Sequence, residues 1–165
     1  MIKIFCHASE AGIAHQISAI RKYLNPSEYS FSIQASDGAR EILESAGTLL
    51  NSDICICGFD SIKINRSGLF INEVRKLNLK SIGILDTWKG IDRFFFEDGN
   101  HRQLTDVILV FDEFSKEYLN FNGIPEDKLL LSDDFFLHEL LTEHELGKKL
   151  GDDGKSRLNK MNFDI

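Results

Sequence analysis

Proline is scarce in this chain, with 2 in 165 residues, while phenylalanine is plentiful at 13. Disordered segments show the opposite balance, rich in proline and poor in aromatics, so the composition excludes disorder and points to a packed chain. Positive charge is in deficit as well: 19 Lys plus Arg stand against 26 Asp plus Glu, a formal net charge of -7. An acidic surface is repelled by phosphate backbones and anionic lipid, so nucleic acid is not an expected partner. Long apolar runs are missing. The best are Asp53-Ile-Cys-Ile-Cys-Gly58 and Val107-Ile-Leu-Val-Phe111, far short of the ~20 residues a membrane-spanning helix requires. Met1-Ile-Lys-Ile-Phe-Cys6 turns polar at His7 and Ser9 and lacks a signal-peptide core. The expected location is therefore cytoplasmic. Only three cysteines occur, Cys6, Cys55 and Cys57, each inside an apolar run. Inert core thiols in a reducing compartment account for that placement.

The apolar residues that are present alternate between two periods. Ile2 to Cys6 reads as a strand, and Ile13, Ile17, Ile20 and Leu24 follow at helical spacing until Asn25-Pro26. Strands are expected again at Phe31 to Ile33, Asp53 to Gly58, Ser81 to Leu85, Val107 to Phe111 and Leu129 to Leu131. Helices are expected at Ala39 to Leu50, at Ser67 to Leu77 with Leu69, Phe70, Val74 and Leu77 on one face, and at Glu113 to Asn122. Asp112 is the expected N-cap of the last of these and Gly123 its C′ glycine. Alternating strands and helices imply right-handed crossovers, hence a doubly wound α/β domain: a mainly parallel, Rossmann-like sheet of about six strands with helices on both faces. Ser132-Asp-Asp134 can cap a further helix carrying Phe136, Leu137, Leu140 and Leu141. From Gly147 the composition turns to Gly, Asp, Lys and Ser, which divides the chain into a domain over 1–146 and a linker or tail over 147–165.

In such sheets ligands bind beyond the C-terminal strand ends, where strand order reverses. That rule selects His7, Glu10 and Gly12 after the first strand, Asp60 after the third, and Asp86, Trp88 and Arg93 after the fourth. Gly12 lets a ligand approach backbone at a helix N-terminus, a place that favours anions. Two readings stand for Glu10: a general base on a substrate hydroxyl, or an acid favoured by the helix dipole. Two readings stand for Asp86 beside the single tryptophan: a sugar site, the carboxylate accepting hydroxyl hydrogen bonds and the indole covering an apolar ring face, or a turn capped by Asp86 with Trp88 and Phe94-Phe-Phe96 covering the sheet. The dinucleotide fingerprint GxGxxG and the phosphate-loop motif are both absent, and His138-Glu-Leu-Leu-Thr142 has threonine where a zinc protease needs its second histidine. No metal and no cofactor are expected.

Three stretches carry a resemblance to the N-terminal, acceptor-side half of GT-B glycosyltransferases and related sugar-nucleotide epimerases of the bacterial surface-carbohydrate type. IKIFCHASEAGIAHQISAI resembles the first strand, loop and helix of that half, and Glu10 matches the glutamate that several members carry in a small-residue turn. IGILDTWKGIDRFF is similar to an Asp-x-Trp element after the fourth strand, matched by Asp86, Trp88 and Arg93. TDVILVFDEFSKEYLNFNGIPEDKLLLS resembles the approach to the interdomain crossing, although Ser132-Asp-Asp-Phe135 stands where a Gly-Asn-Pro turn is common. The resemblance implies Glu10 as base, Asp86, Trp88 and Arg93 as the residues that position the substrate, and a sugar or glycan acceptor as ligand; His7, Gly12 and Asp60 join them as substrate contacts by their place at the strand ends. It also implies a donor-binding domain or subunit as partner, since Asn159 to Ile165 looks like the approach to a second domain; the alternatives are a Rossmann-like binding or assembly domain without catalysis, or a fragment of a sugar-nucleotide epimerase.

Overall fold

The computed structural model describes residues 1–43, 49–59, 66–85 and 104–149. Six parallel strands form one sheet: β1 (Ile2–Ala8), β2 (Tyr29–Ala35), β3 (Ile54–Gly58), β4 (Lys80–Ile84), β5 (Val107–Val110) and β6 (Leu129–Leu131), in the order β2-β1-β3-β4-β5-β6. The helices are α1 (Ala11–Tyr23), α2 (Arg66–Lys76), α3 (Glu113–Phe121) and α4 (Phe135–Lys149). This is the doubly wound α/β architecture that the alternating periods imply. Pairing carries β1 and β2 two residues past their apolar cores, to Ala8 and Ala35, because the backbone ladder continues through His7↔Gln34 and Ala8↔Ala35.

Side-chain alternation along each strand divides the core between two faces. Ile4, Cys6 and Ala8 of β1 and Ile56 of β3 pack with Ile13, Ala14, Ile17 and Ile20 of α1. Phe5, Cys55 and Cys57 face the other way, toward Phe70, Ile71 and Val74 of α2 and Leu119 of α3. A strand buried on both faces needs the continuous apolar run seen in Ile54-Cys-Ile-Cys57. The thiols are core side chains, all three buried. Burial pushes Cys6 up to about 12, the nearby Arg21 charge opposing it, and Cys55 up to about 11, so neither is a thiolate near neutrality.

Two differences from the sequence reading have physical causes. In α2 the buried face is Phe70, Ile71 and Val74, whereas Leu69 is 63% exposed and Leu77 lies on the surface. Both sets fit a helical period, and only the position of the sheet chooses between them. Where Ala39 to Leu50 reads as a helix, the described residues show a 3-10 turn at Asp37–Glu41 that ends by Leu43. Residues 44–48 lie outside the described part.

Helix ends follow expected chemistry. Asp112 accepts from Ser115 N at 2.6 Å and Ser115 Oγ at 2.7 Å, capping α3. Beyond α3, Gly123 sits at φ 95, Gly123 N donates to Asn120 O and Ile124 N to Leu119 O. That is a Schellman end, with Ile124 and Leu119 closing it in the core. α2 ends identically, but with Asn78 at φ 54 in the glycine position: Asn78 N donates to Arg75 O and Leu79 N to Val74 O. Glycine enters this region at no steric cost, so Asn78→Gly is expected to stabilise the fold by about 0.5–1 kcal/mol. Urea melts would show a higher midpoint with an unchanged slope; a lower midpoint would mean that the asparagine side chain supports the turn.

Candidate functional site

The strand order places the site. From β1 the chain moves outward to β2, then returns to the far side of β1 to lay down β3, so the winding direction reverses between β1 and β3. The chain leaves β1 toward β2 on one side and β3 toward β4 on the other, and it is at such a switch point, beyond the C-terminal strand ends, that sheets of this kind hold ligands in a crevice. Its walls are the turn Ser9-Glu10 into α1 and the exit of β3 at Gly58-Phe59.

Glu10 occupies the N-cap position of α1 with extended backbone (φ -115, ψ 151), and its carbonyl accepts from Ala14 N at 3.1 Å. Its side chain does not cap the helix. Gly12 lies exposed in the first turn, where backbone N–H groups have no intrahelical acceptor. The loop after β2 closes on this turn: Ser36 N donates to Ala8 O at 2.9 Å, and a Cβ on Gly38 would stand 3.8 Å from Ala11 N. Ser36 Oγ is buried there with no hydrogen-bond partner among the described residues. The turn thus brings a carboxylate, helix-end amides and a hydroxyl close together.

His7 lies beneath the crevice, 6% exposed, in register with Cys57. Its ring stacks on Phe70 at 4.7 Å with 15° between planes, and Nδ1 is 3.3 Å from Gln34 Oε1. This contact to the Gln34 amide and the stack on Phe70 together fix the orientation of the ring. Two close approaches fix the walls. A Cβ on Gly58 would fall 2.2 Å from Ile13 Cγ1, so the bare β3 backbone is what lets α1 seat its first turn on the sheet. A Cβ on Gly83 would fall 2.3 Å from the Phe59 ring, which lies across β4.

The structure thus gathers His7, Glu10 and Gly12 at one edge. Asp60, Asp86, Trp88 and Arg93 lie outside the described residues; β3 ends at Gly58 and β4 at Ile84. Sequence reading does not single out Gln34, Ser36, Phe70 and Gly58 as site residues, taking Phe70 as core and Gly58 as a strand end. Gln34 and Ser36 are signalled only once β2 is extended to Ala35, which brings them to the same C-terminal edge. Phe70 and Gly58 act through tertiary contacts that no spacing reveals.

The opposite edge is structural. Asp106 accepts from Ser81 N at 2.8 Å and Ser81 Oγ at 2.9 Å, tying the start of β4 to the approach of β5. Desolvation raises its pKa, but these bonds and the Lys128 and Lys80 charges outweigh it and hold the carboxyl below its ordinary range. Among the described residues no cluster of three or more His, Cys, Asp or Glu could hold a metal ion. Among them, too, no helix is long and apolar enough to cross a membrane.

No family model matches the sequence, and a search of curated proteins finds no match. Among solved structures, the chain is similar to UDP-GlcNAc 2-epimerase from Neisseria meningitidis bound to UDP-GlcNAc, with a TM-score of 0.60 and 14% identity. The chain shares that enzyme's fold. The match covers 99% of this chain and 55% of the epimerase, so the chain spans about half the length of that protein. Similarity to a sugar-nucleotide epimerase is therefore borne out at the level of fold, with the strand order of a Rossmann-like sheet.

Proposed function

We propose that this chain is one half of a two-part enzyme of nucleotide-sugar chemistry, with residues 1–146 as its domain and 147–165 leading toward the other part. Within that class we read it as the acceptor-side half of a glycosyltransferase of surface-polysaccharide or glycoconjugate synthesis. The observation that carries this reading is the placement of Glu10 and Gly12 at the β1–β3 reversal. The neighbour that covers this chain almost completely has UDP-GlcNAc bound.

In the reaction, the acceptor hydroxyl oxygen forms a bond to the anomeric carbon while the bond from that carbon to the nucleotide diphosphate breaks. The hydroxyl proton passes to Glu10, and the leaving diphosphate takes the bonding pair. Helix-end amides at Gly12 favour the negative charge that develops, so a metal is not required. His7 holds the floor of the turn through Phe70 and Gln34. Asp60, Asp86, Trp88 and Arg93 position the acceptor, the indole covering a sugar face.

Epimerisation is the second reading, favoured by the activity printed for the structural neighbour. The complete enzyme separates the two: an epimerase converts UDP-GlcNAc without an acceptor, a transferase does not. For the half-enzyme claim, the chain alone is expected to bind nucleotide sugars weakly. Stabilisation by ligand follows RT ln(1 + [L]/Kd), so about 1 mM UDP-GlcNAc should leave Tm nearly unchanged. A micromolar Kd by calorimetry would show a self-sufficient binding domain.

A further inference from the structure

We propose that α4 is a releasable strap, docked on α1 through a latch centred on Gln16 and opening as a unit while the sheet stays folded. α4 differs from the other helices in what it buries. α1 places Ile13, Ala14, Ile17, Ala19 and Ile20 in the core, α2 places Phe70, Ile71 and Val74, and α3 places Leu119. Over Phe135 to Glu143, by contrast, not one α4 side chain is buried, although five of the nine are Phe or Leu. Phe135 packs partly against the α1-side core, while Leu137 and Leu141 face solvent.

What holds α4 is a row of contacts to α1. Gln16 is 4% exposed and uses both ends of its amide on the strap: Nε2 donates to Asp134 Oδ1 at 2.8 Å, and Oε1 accepts from Phe136 N at 3.3 Å. The same Asp134 oxygen accepts from Leu137 N at 2.9 Å and caps α4. Further along, the His15 and Phe136 rings stack at 4.5 Å, Tyr23 OH bonds His138 Nδ1, and Lys22 pairs with Glu139.

This combination behaves asymmetrically. Gln16 is the one polar residue among the buried residues of α1 and specifies one docked register, because any shifted register leaves its amide unsatisfied in the interface. Full release leaves nothing unsatisfied, since water serves Gln16, Asp134, Tyr23, His138, Lys22 and Glu139 equally well. Over Phe135 to Glu143 the apolar surface released is that of half-buried side chains, with no fully buried one among them. Segments with few buried apolar contacts open locally at free energies well below the global one. The latch also lies one turn along α1 from Gly12, so the strap docks on the helix whose first turn forms the crevice. The proposal is independent of the enzymatic reading.

Hydrogen exchange with mass spectrometry on the full chain tests it. The α4 amides are expected to exchange together, at least about 100-fold faster than those of β1 and β3. Gln16→Leu roughly keeps the side-chain size and removes both bonds. It is expected to accelerate α4 exchange about tenfold, with β1 and β3 unchanged; Tyr23→Phe should act in the same direction more weakly. Wild-type α4 amides exchanging at the rate of β1 and β3 would overturn the proposal. So would α4 exchange unmoved by both substitutions, or accelerated only in step with the sheet.

Discussion

Gly58→Ala is expected to destabilise the folded chain by about 1–3 kcal/mol, the usual cost of forcing a methyl into a packed interior. The added Cβ would lie 2.2 Å from Ile13 Cγ1, 2.7 Å from Cδ1 and 2.8 Å from Cγ2, so no rotation of one terminal methyl relieves all three contacts. Ile13 itself is buried between α1 and the sheet and has nowhere to retreat. The strain has to move the first turn of α1 away from β3, which is the crevice wall. For a chain of this size, 1 kcal/mol corresponds to roughly 2–4 °C in Tm. A double-mutant cycle identifies the cause: Ile13→Ala removes the clashing atoms at a cost of about 2–5 kcal/mol for its own cavity, and the pair should cost clearly less than the sum. Strict additivity would mean that the two positions do not meet.

Glu10→Gln is expected to separate chemistry from stability. Glu10 is the N-cap residue of α1, but its side chain makes no capping bond, and the helix is anchored by Ile13, Ile17 and Ile20. Loss of one helix-end charge is worth about 0.3–1 kcal/mol, and glutamine keeps the size and shape of the side chain, so the melting curve should move little. Removing a general base should slow the complete enzyme by about 10²- to 10⁴-fold, because glutamine keeps the shape and cannot accept the proton. Near-normal turnover with an intact melting curve would return Glu10 to the role of a helix-end acid.

The strands were legible because parallel strands covered on both faces must be apolar throughout, and Asp53 to Gly58 and Val107 to Phe111 announce themselves by that alone. Strand ends were less so. His7 and Gln34 continue the β1–β2 ladder through backbone bonds that carry no hydrophobic signal. Asp112 and Gly123 were read correctly since capping chemistry is local to a few residues. The buried face of α2 was read in part: Phe70 and Val74 are buried as expected, but Leu69 and Leu77 satisfy the helical period as well as Ile71 does, and they lie on the surface. At the site, topology led to Glu10 and Gly12, whereas the His7–Phe70 stack and the Gly58–Ile13 seat arise between elements distant in sequence. Local pattern places residues at an edge; tertiary packing decides which of them touch.

The most direct test of the crevice as the ligand site is a nitrogen-15 NMR titration of the chain with UDP-GlcNAc. At roughly 10 mM ligand and a Kd of that order, binding contributes only about 0.4 kcal/mol, too little for a melting curve and ample for amide shifts. The expected perturbations fall on Ser9 to Ile13, Ser36 to Gly38 and Phe59, with Ser81 and Asp106 at the opposite edge unmoved. Shifts centred on Ser81 and Asp106 or on α3, or no shifts at the β1–β3 edge, would contradict it.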